Sequence, residues 1–268
     1  MRAKITFLGT NTFPVTREST NFLIEMDSFN MLVECCGSVT LRMQALKKKL
    51  ESVNDLFLSH IHGDHTLGVP LFFHAHWLAR MLRPGDTSLS NEIRVFAPSG
   101  VFEKVYEISR TLFPTQMTAL ERMVRIVNIK IDQTREYEPV KKVKLKFFGL
   151  DHSVPTYGFR LDALSPKISI AYVPDTLPIP RITGIIEGVD VLIHDAFCID
   201  EMREIAYRAK HSTVRDAARV AEEAGVKILL LVHMLQTMHG REEQMIKEAK
   251  AVFSGEVILP RDLESIEI

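Results

Sequence analysis

Read for alternation of apolar and polar positions, the first hundred residues are short strands and helices taken in turn. Residues 4–8, 21–26 and 31–35 are brief β-type runs set between turn-rich segments. Residues 38–50 read as a helix ending in Lys47-Lys48-Lys49, a basic end that complements the helix dipole. An apolar run from Asp55 to Ser59 stops at His60, and a second helix is expected over 66–82, before the Pro84-Gly85-Asp86 break. A strand over 92–97 and a helix over 100–113 follow, and 114–122 is ambiguous. Over 143–148 apolar and basic positions alternate, which predicts a half-buried strand of an antiparallel pair. Its lysines, Lys142, Lys144 and Lys146, make a wet face, or the rim of a site for an anionic polymer.

The last hundred residues repeat one arrangement. Residues 168–172 end near Asp175, 189–193 end at Asp195, and 228–232 end at His233. Each is an apolar, β-branched run meeting a ligand-type residue at its carboxyl end, where open α/β sheets collect their active sites. Segments 182–187, 213–225 and 242–253 supply helices. No linker, low-complexity stretch or short repeat divides the chain, so a single domain over 1–268 is expected.

Composition narrows the classes without choosing among them. At 268 residues the chain can bury a sizeable core, and 46% hydrophobic with 25% charged residues is ordinary globular usage. A net charge of -1 carries no electrostatic footprint for nucleic acid, so any basic surface must be local. Three cysteines make no disulfide framework, and adjacent Cys35 and Cys36 point to opposite faces of the expected strand, which favours a reducing compartment. No stretch approaches a membrane span, and the first residues lack the apolar core of a secretory signal. A cytoplasmic protein is expected.

The chemistry concentrates in Leu56–Gly68, LFLSHIHGDHTLG, where His60, His62, Asp64 and His65 fall within six residues of one another. These are hydrolytic-metal ligand types placed where an apolar run stops. His60 and His62, two apart on extended chain, face the same way and can share one ion. Past Gly63 the chain can turn and aim Asp64 and His65 at a neighbouring position. A second ion needs more ligands, and His152, Asp175 and His233 wait at strand ends.

His60-x-His62-x-Asp64-His65 after an apolar strand resembles the metal motif of the metallo-β-lactamase superfamily. His152-Ser-Val-Pro-Thr-Tyr-Gly-Phe-Arg160, Asp175-Thr176, His211-Ser-Thr213 and His233 are similar, in order, to the downstream motifs of the ribonuclease Z branch, endonucleases that trim tRNA 3′ ends. Phe7-Leu-Gly-Thr10 resembles that branch too, as does Asp195, where the branch more often carries glutamate. The resemblance implies a four-layer αββα sandwich of two mixed β-sheets flanked by helices, an α/β fold. It implies two Zn2+ per chain, with Mn2+ equally open because the ligand types suit both. His60, His62 and His152 would hold one ion, Asp64, His65 and His233 the other, with Asp175 bridging. A metal-bridged hydroxide would attack the phosphodiester, and Asp64 could orient it as well as bind metal. His211, beside a helix start that looks like a capping box, is expected to pair with Asp195 and act as general acid or transition-state stabiliser. Arg17 resembles a basic, substrate-binding loop residue. The resemblance also implies a homodimer and precursor tRNA as substrate.

Departures bear on substrate. Many ribonuclease Z enzymes carry a Gly/Pro-rich arm between the third and fourth motifs, whereas only 22 residues separate His152 from Asp175 here, enough for two strands and their turn. Pro174 and Glu34 also replace the family's usual small residue and aspartate. A small-substrate metallohydrolase of the same superfamily, acting on a cyclic nucleotide or another small ester, therefore stays open. So does a non-catalytic metal-binding interaction module, although Asp64 and His211 argue against it. His74 and His76, two apart on an expected helix, cannot chelate together, and a helix-surface or pocket-rim place is expected for them. They, His194 and His239 carry no assigned role.

Overall fold

The computed structural model describes residues 3–12, 17–27, 29–132 and 136–268. Strands β1 (Lys4–Gly9), β2 (Asn21–Met26), β3 (Phe29–Val33), β4 (Asp55–Phe57), β5 (Glu92–Ala97) and β6 (Arg125–Lys130) form one sheet in chain order. It is antiparallel through β1, β2 and β3 and parallel from β3 to β6. A second sheet takes β7 (Glu136–Val140), β8 (Val143–Gly149), β9 (Tyr157–Leu164), β10 (Lys167–Val173), β11 (Val191–Asp195), β12 (Ile228–Val232) and β13 (Glu256–Ile258). Its first four strands pair antiparallel and its last four parallel. The last strand, β14 (Ser265–Glu267), returns to the free edge of β1.

The helices are α1 (Val39–Ala45), α2 (Gly63–Thr66), α3 (Val69–Leu82), α4 (Val101–Leu112), α5 (Pro114–Met123), α6 (Arg203–Arg208), α7 (Val214–Glu223) and α8 (Glu242–Lys250). Three apolar cores explain the layers. Between the sheets lie Phe22, Phe57 and Phe96 from one side and Phe147, Phe159 and Tyr172 from the other, with Phe57 and Phe147 stacked at 6.1 Å. Outside the first sheet, Leu56, Leu58 and Val95 pack on Phe72, Phe73, Val105 and Leu120. Outside the second, Leu192, Leu229 and Leu231 pack on Ala217, Ala221 and Met245. Strands with apolar residues on both faces can be covered only this way, so the expected four-layer αββα arrangement is what forms.

Some elements differ from expectation. The strand expected over 31–35, β3, stops at Val33 rather than Cys35, because Glu34 turns with φ 60°; Cys35 and Cys36 follow it, buried and free. The helix expected over 66–82 is two, α2 and α3, broken at Gly68. A Cβ there would sit 2.0 Å from the Cys36 carbonyl oxygen, and Gly68 N–H donates to Cys35 O at 2.8 Å. The helix expected over 182–187 is a single 3₁₀ turn, Pro180–Ile182, followed by turns around Gly184 and Gly188 (φ 64°). Helix 38–50 shortens to α1, ending before the left-handed Lys47. Ambiguous 114–122 is helical, with Pro114 at the first position where its missing N–H costs nothing. The 22 residues between His152 and Asp175 hold the β9–β10 hairpin and its two-residue turn.

Candidate metal centre

Parallel pairing places the carboxyl ends of β3, β4, β10, β11 and β12 along one edge of the sandwich, and β8, antiparallel to β9, ends there too. The chain leaving these ends carries Glu34, His60 to His65, Asp175, Asp195, His233 and His152. Each metal-capable residue anticipated from the sequence is brought to this one place. His60 Nε2 lies 2.9 Å from His62 Nδ1, which is 3.4 Å from His152 Nε2. Asp175 Oδ2 stands 3.8 Å from both His60 Nε2 and His152 Nε2. Beside them His65 Nε2 and His233 Nε2 lie 3.5 and 3.6 Å from Asp64 Oδ2. Asp175 reaches this second group as well, with Oδ2 3.5 Å from His65 and Oδ1 3.4 Å from His233.

Ligand atoms 2.0–2.1 Å from a tetrahedral ion are spaced about 3.3 Å apart, which is the spacing of these two groups. Both ring nitrogens of His65 and of His233, and Asp175 Oδ1, are buried without a hydrogen-bond partner. Native proteins rarely leave such atoms orphaned, and a cation between them would satisfy them. The donor set is that of a divalent metal site.

Protonation divides the set. Burial, with neighbouring imidazoles adding to it, pushes His60 well below the ordinary histidine range. Burial likewise lowers His62 and His152. Their lone pairs are free to bind. His65 is raised well above that range: burial opposes its charge, but Asp175, Glu34 and Asp64 outweigh it. Asp175, Asp195 and Asp64 push His233 up to about 10 against its burial. Asp175 in turn is held far below the carboxylate range, against its own burial, by His233 and His65. A bound cation would displace protons from His65 and His233 and take over their role.

The supporting contacts explain residues that pattern alone left unexplained. His60 Nδ1 meets Ser59 Oγ at 2.8 Å, and His152 Nδ1 donates to Lys210 O at 2.9 Å. Glu34 accepts from Ser59 N–H at 3.1 Å and from the Tyr172 hydroxyl at 3.3 Å, and its Oε1 stands 3.4 Å from His65 Nδ1. His233 sits in the left-handed region, φ 62°, held by its N–H donating to Thr10 O at 2.7 Å. Thr10 follows Gly9, whose absent Cβ would lie 2.1 Å from Ser19 O. Thus Phe7-Leu-Gly-Thr10 is a close-approach segment that fixes a metal-capable residue 223 positions later.

His211 stands where α6 ends and α7 begins. Lys210, φ 63°, donates its N–H to Tyr207 O and His211 donates to Ala206 O, the pair of bonds that closes a helix in a Schellman turn. The expected capping box is present, with Thr213 Oγ1 accepting from Asp216 N–H. Between these two fixed ends, His211 Nδ1 meets Asp195 Oδ2 at 3.1 Å. Asp195 also accepts from the Ser212 N–H, and its other oxygen is 3.7 Å from His233 Nδ1. His211 and then His233 hold Asp195 at about 2 despite burial. Phe197 stacks on the His211 ring at 4.4 Å and 9°, and the His233 ring lies 5.1 Å from it at 24°. Sequence reading assigned nothing to Glu34 beyond a departure, nor anything to Thr10 as a support, Phe197 or Lys210.

The remaining candidates fall elsewhere. Arg17 pairs with Glu242 at 3.3 Å and lines a cavity of about 690 Å³ with Met234, Ile246, Leu259 and Arg261, which none of the metal-capable residues lines. His76 is not on a helix surface or pocket rim but fully buried, donating to Val53 O at 3.0 Å and accepting from Arg80. His74 packs on Trp77 and Phe113. His194 is buried and donates to Asp195 O, and His239 meets Asn11 Oδ1.

Residues 30–234 match the family model described as the beta-lactamase superfamily domain. Ribonuclease Z of Halorubrum lacusprofundi is 28% identical over 310 aligned positions, covering all of this chain and 98% of that protein. Since the chain has 268 residues, that relative carries at least 42 residues facing none here. Among solved structures, the metallo-β-lactamase fold protein YhfI of Bacillus subtilis superposes with a TM-score of 0.82 at 20% identity, over all of both chains. The short form of human tRNase Z superposes with a TM-score of 0.79 at 21% identity, over 98% of each.

Proposed function

This chain belongs to the beta-lactamase superfamily, and on that premise we propose that it is a phosphodiesterase of the ribonuclease Z kind, an endonuclease acting at the 3′ ends of precursor tRNA. The observation that carries the reading is the double cluster itself: two ligand groups that share Asp175, with His211 beside them hydrogen-bonded to Asp195. We assign His60, His62 and His152 to one Zn2+ and Asp64, His65 and His233 to a second, with Asp175 shared. A pair of divalent ions at such a site supplies Lewis acidity at the phosphodiester and lowers the pKa of an attacking water.

The chain's own residues do the rest. Asp64 orients the nucleophile from the edge of the second group. His211 gives a proton to the leaving 3′ oxygen, and Asp195 Oδ2 fixes its tautomer and ring plane. Phe197 keeps that ring from turning away. We take the protein to act as one hydrolase domain over 1–268, in the cytoplasm, and as a homodimer; among the described residues no helix is long and apolar enough to cross a membrane.

One observation favours a second reading. The β9–β10 hairpin fills the interval from His152 to Asp175 with no arm to grip a tRNA body, so a small phosphodiester is the competing substrate. Incubation of zinc-loaded protein with labelled precursor tRNA, beside a chromogenic phosphodiester, separates the two. Endonucleolytic cut at the 3′ side of the acceptor stem is expected. Turnover of the small ester alone, at salt low enough for RNA to bind, would defeat the RNA reading.

A further inference from the structure

Near-neutral net charge means that a polynucleotide must be attracted by cations placed locally. Lys210 is such a cation, built into the rim of the metal centre. Its carbonyl accepts from His152 Nδ1 at 2.9 Å, and its peptide leads directly into His211. Its ammonium rests on Asp151 Oδ1 at 3.2 Å, the residue just before His152. Asp151 N–H in turn donates to Thr176 Oγ1, beside Asp175. The ammonium therefore rests on the loop that carries His152, itself bonded to the loop that carries Asp175, while remaining 42% exposed, with Asp151 51% exposed.

Such an exposed pair adds little to the fold, so the ammonium can leave Asp151 for a stronger anion at little cost. A four-carbon stem rooted one residue before His211 would let the ammonium serve a phosphate neighbouring the one at which His211 acts. The bland account of Lys210, a cation at the end of α6, explains neither its turn toward the Asp151 loop nor its place on this rim. Left-handed lysines at Lys47 and Lys142 show that the backbone conformation alone is no signal.

The geometry points to Lys210 as a specificity-determining residue that contacts the phosphate flanking the scissile one, and so selects polynucleotides over small phosphodiesters. The inference rests on the RNA reading above and deepens it. It also predicts that Asp151 acts as a placeholder anion, vacated when the strand binds.

Lys210→Gly suits the left-handed backbone and removes only the side chain. With zinc-loaded protein, the ratio of kcat/KM for an RNA oligonucleotide to kcat/KM for a chromogenic phosphodiester is expected to fall about ten-fold, mostly through KM. The dependence of RNA binding on log salt should flatten by about 0.7, one single-strand phosphate contact. Lys210→Arg should restore the ratio and the slope; Lys210→Gln should not. An unchanged ratio, or an equal fall for both substrates in Lys210→Gly and Lys210→Gln, overturns the inference while leaving the ribonuclease reading standing. Wild-type protein that cleaves the small ester but neither binds nor cuts RNA overturns both.

Discussion

At the residue scale, the site depends on side chains and carbonyls that carry no signature of their own. His233 can point Nε2 at Asp64 and Asp175 only because Thr10 O holds its backbone at φ 62°, a conformation that costs a non-glycine residue about 1 kcal/mol. Glu34, likewise left-handed, can pass its carboxylate to Ser59, Tyr172 and His65 at once. His211 is adjacent to both a proton-donating and a ligating role, since it lies within ligand distance of Asp175 and His233. Substitution distinguishes them. His211→Ala is expected to lose about 10²–10⁴-fold in turnover while keeping both metal equivalents by elemental analysis; lost metal would make it a ligand. His60→Ala should instead lose metal. The cluster residues were legible from the sequence because each ligand type follows an apolar run. Their grouping came from the family resemblance, whereas the groups that orient them, such as the Lys210 carbonyl behind His152 and the Thr10 carbonyl behind His233, left no mark in the sequence.

At the element scale, secondary structure serves to aim loops. The Schellman end of α6 and the capping box of α7 leave His211 and Ser212 little freedom, which is why a histidine between two short helices can hold a fixed ring plane. Periodicity located α4 to within a residue at each end, because Gly100 and Phe113 bound a clean amphipathic run. It missed the break at Gly68, which is set by contact with Cys35 and Cys36 rather than by local preference. The partly exposed edge strand β6 was missed for want of a buried face. Helix α3 also carries an acid-sensitive residue away from the site. Burial, then Arg80, pushes His76 down to about 3. An unfolded histidine takes up its proton near 6.5, so between these values the unfolded chain binds more protons than the folded one. Stability should therefore fall on acidification through this window, by about 1.4 kcal/mol per pH unit from this residue. Urea melts of His76→Gln against wild type between pH 4 and 7 should show a shallower slope for the variant; parallel slopes would refute the assignment.

At the scale of the whole molecule, the centre joins the two sheets. His60 to His65 leave the first and His152, Asp175 and His233 the second, so a cation held by both groups clamps the sandwich across its core. Metal at a thousand-fold excess over its Kd stabilises by about 4 kcal/mol, roughly 10 °C for a chain of this size. Chelation should lower the melting temperature by that order and zinc should restore it; an unmoved transition would argue against a resident metal. Because His65 and His233 (about 10) hold protons in the metal-free cluster, zinc uptake near neutral pH should release them. Apparent affinity should therefore rise as pH rises from neutrality. Calorimetry in buffers of different ionisation enthalpy measures that release directly.

The amino-acid sequence by itself determined the layers and the chemistry. Apolar runs buried on both faces require covering helices on each side, and histidines and aspartates at the ends of those runs fall on one edge of any parallel-paired sheet. Tertiary structure alone decided how the supporting groups stand behind those donors and at what distances the donors meet. That depends on positive φ at Glu34, Lys210 and His233 and on the backbone approaches at Gly9 and Gly68. Such contacts are set by three-dimensional packing between distant segments, for which a linear pattern of hydrophobicity holds no record.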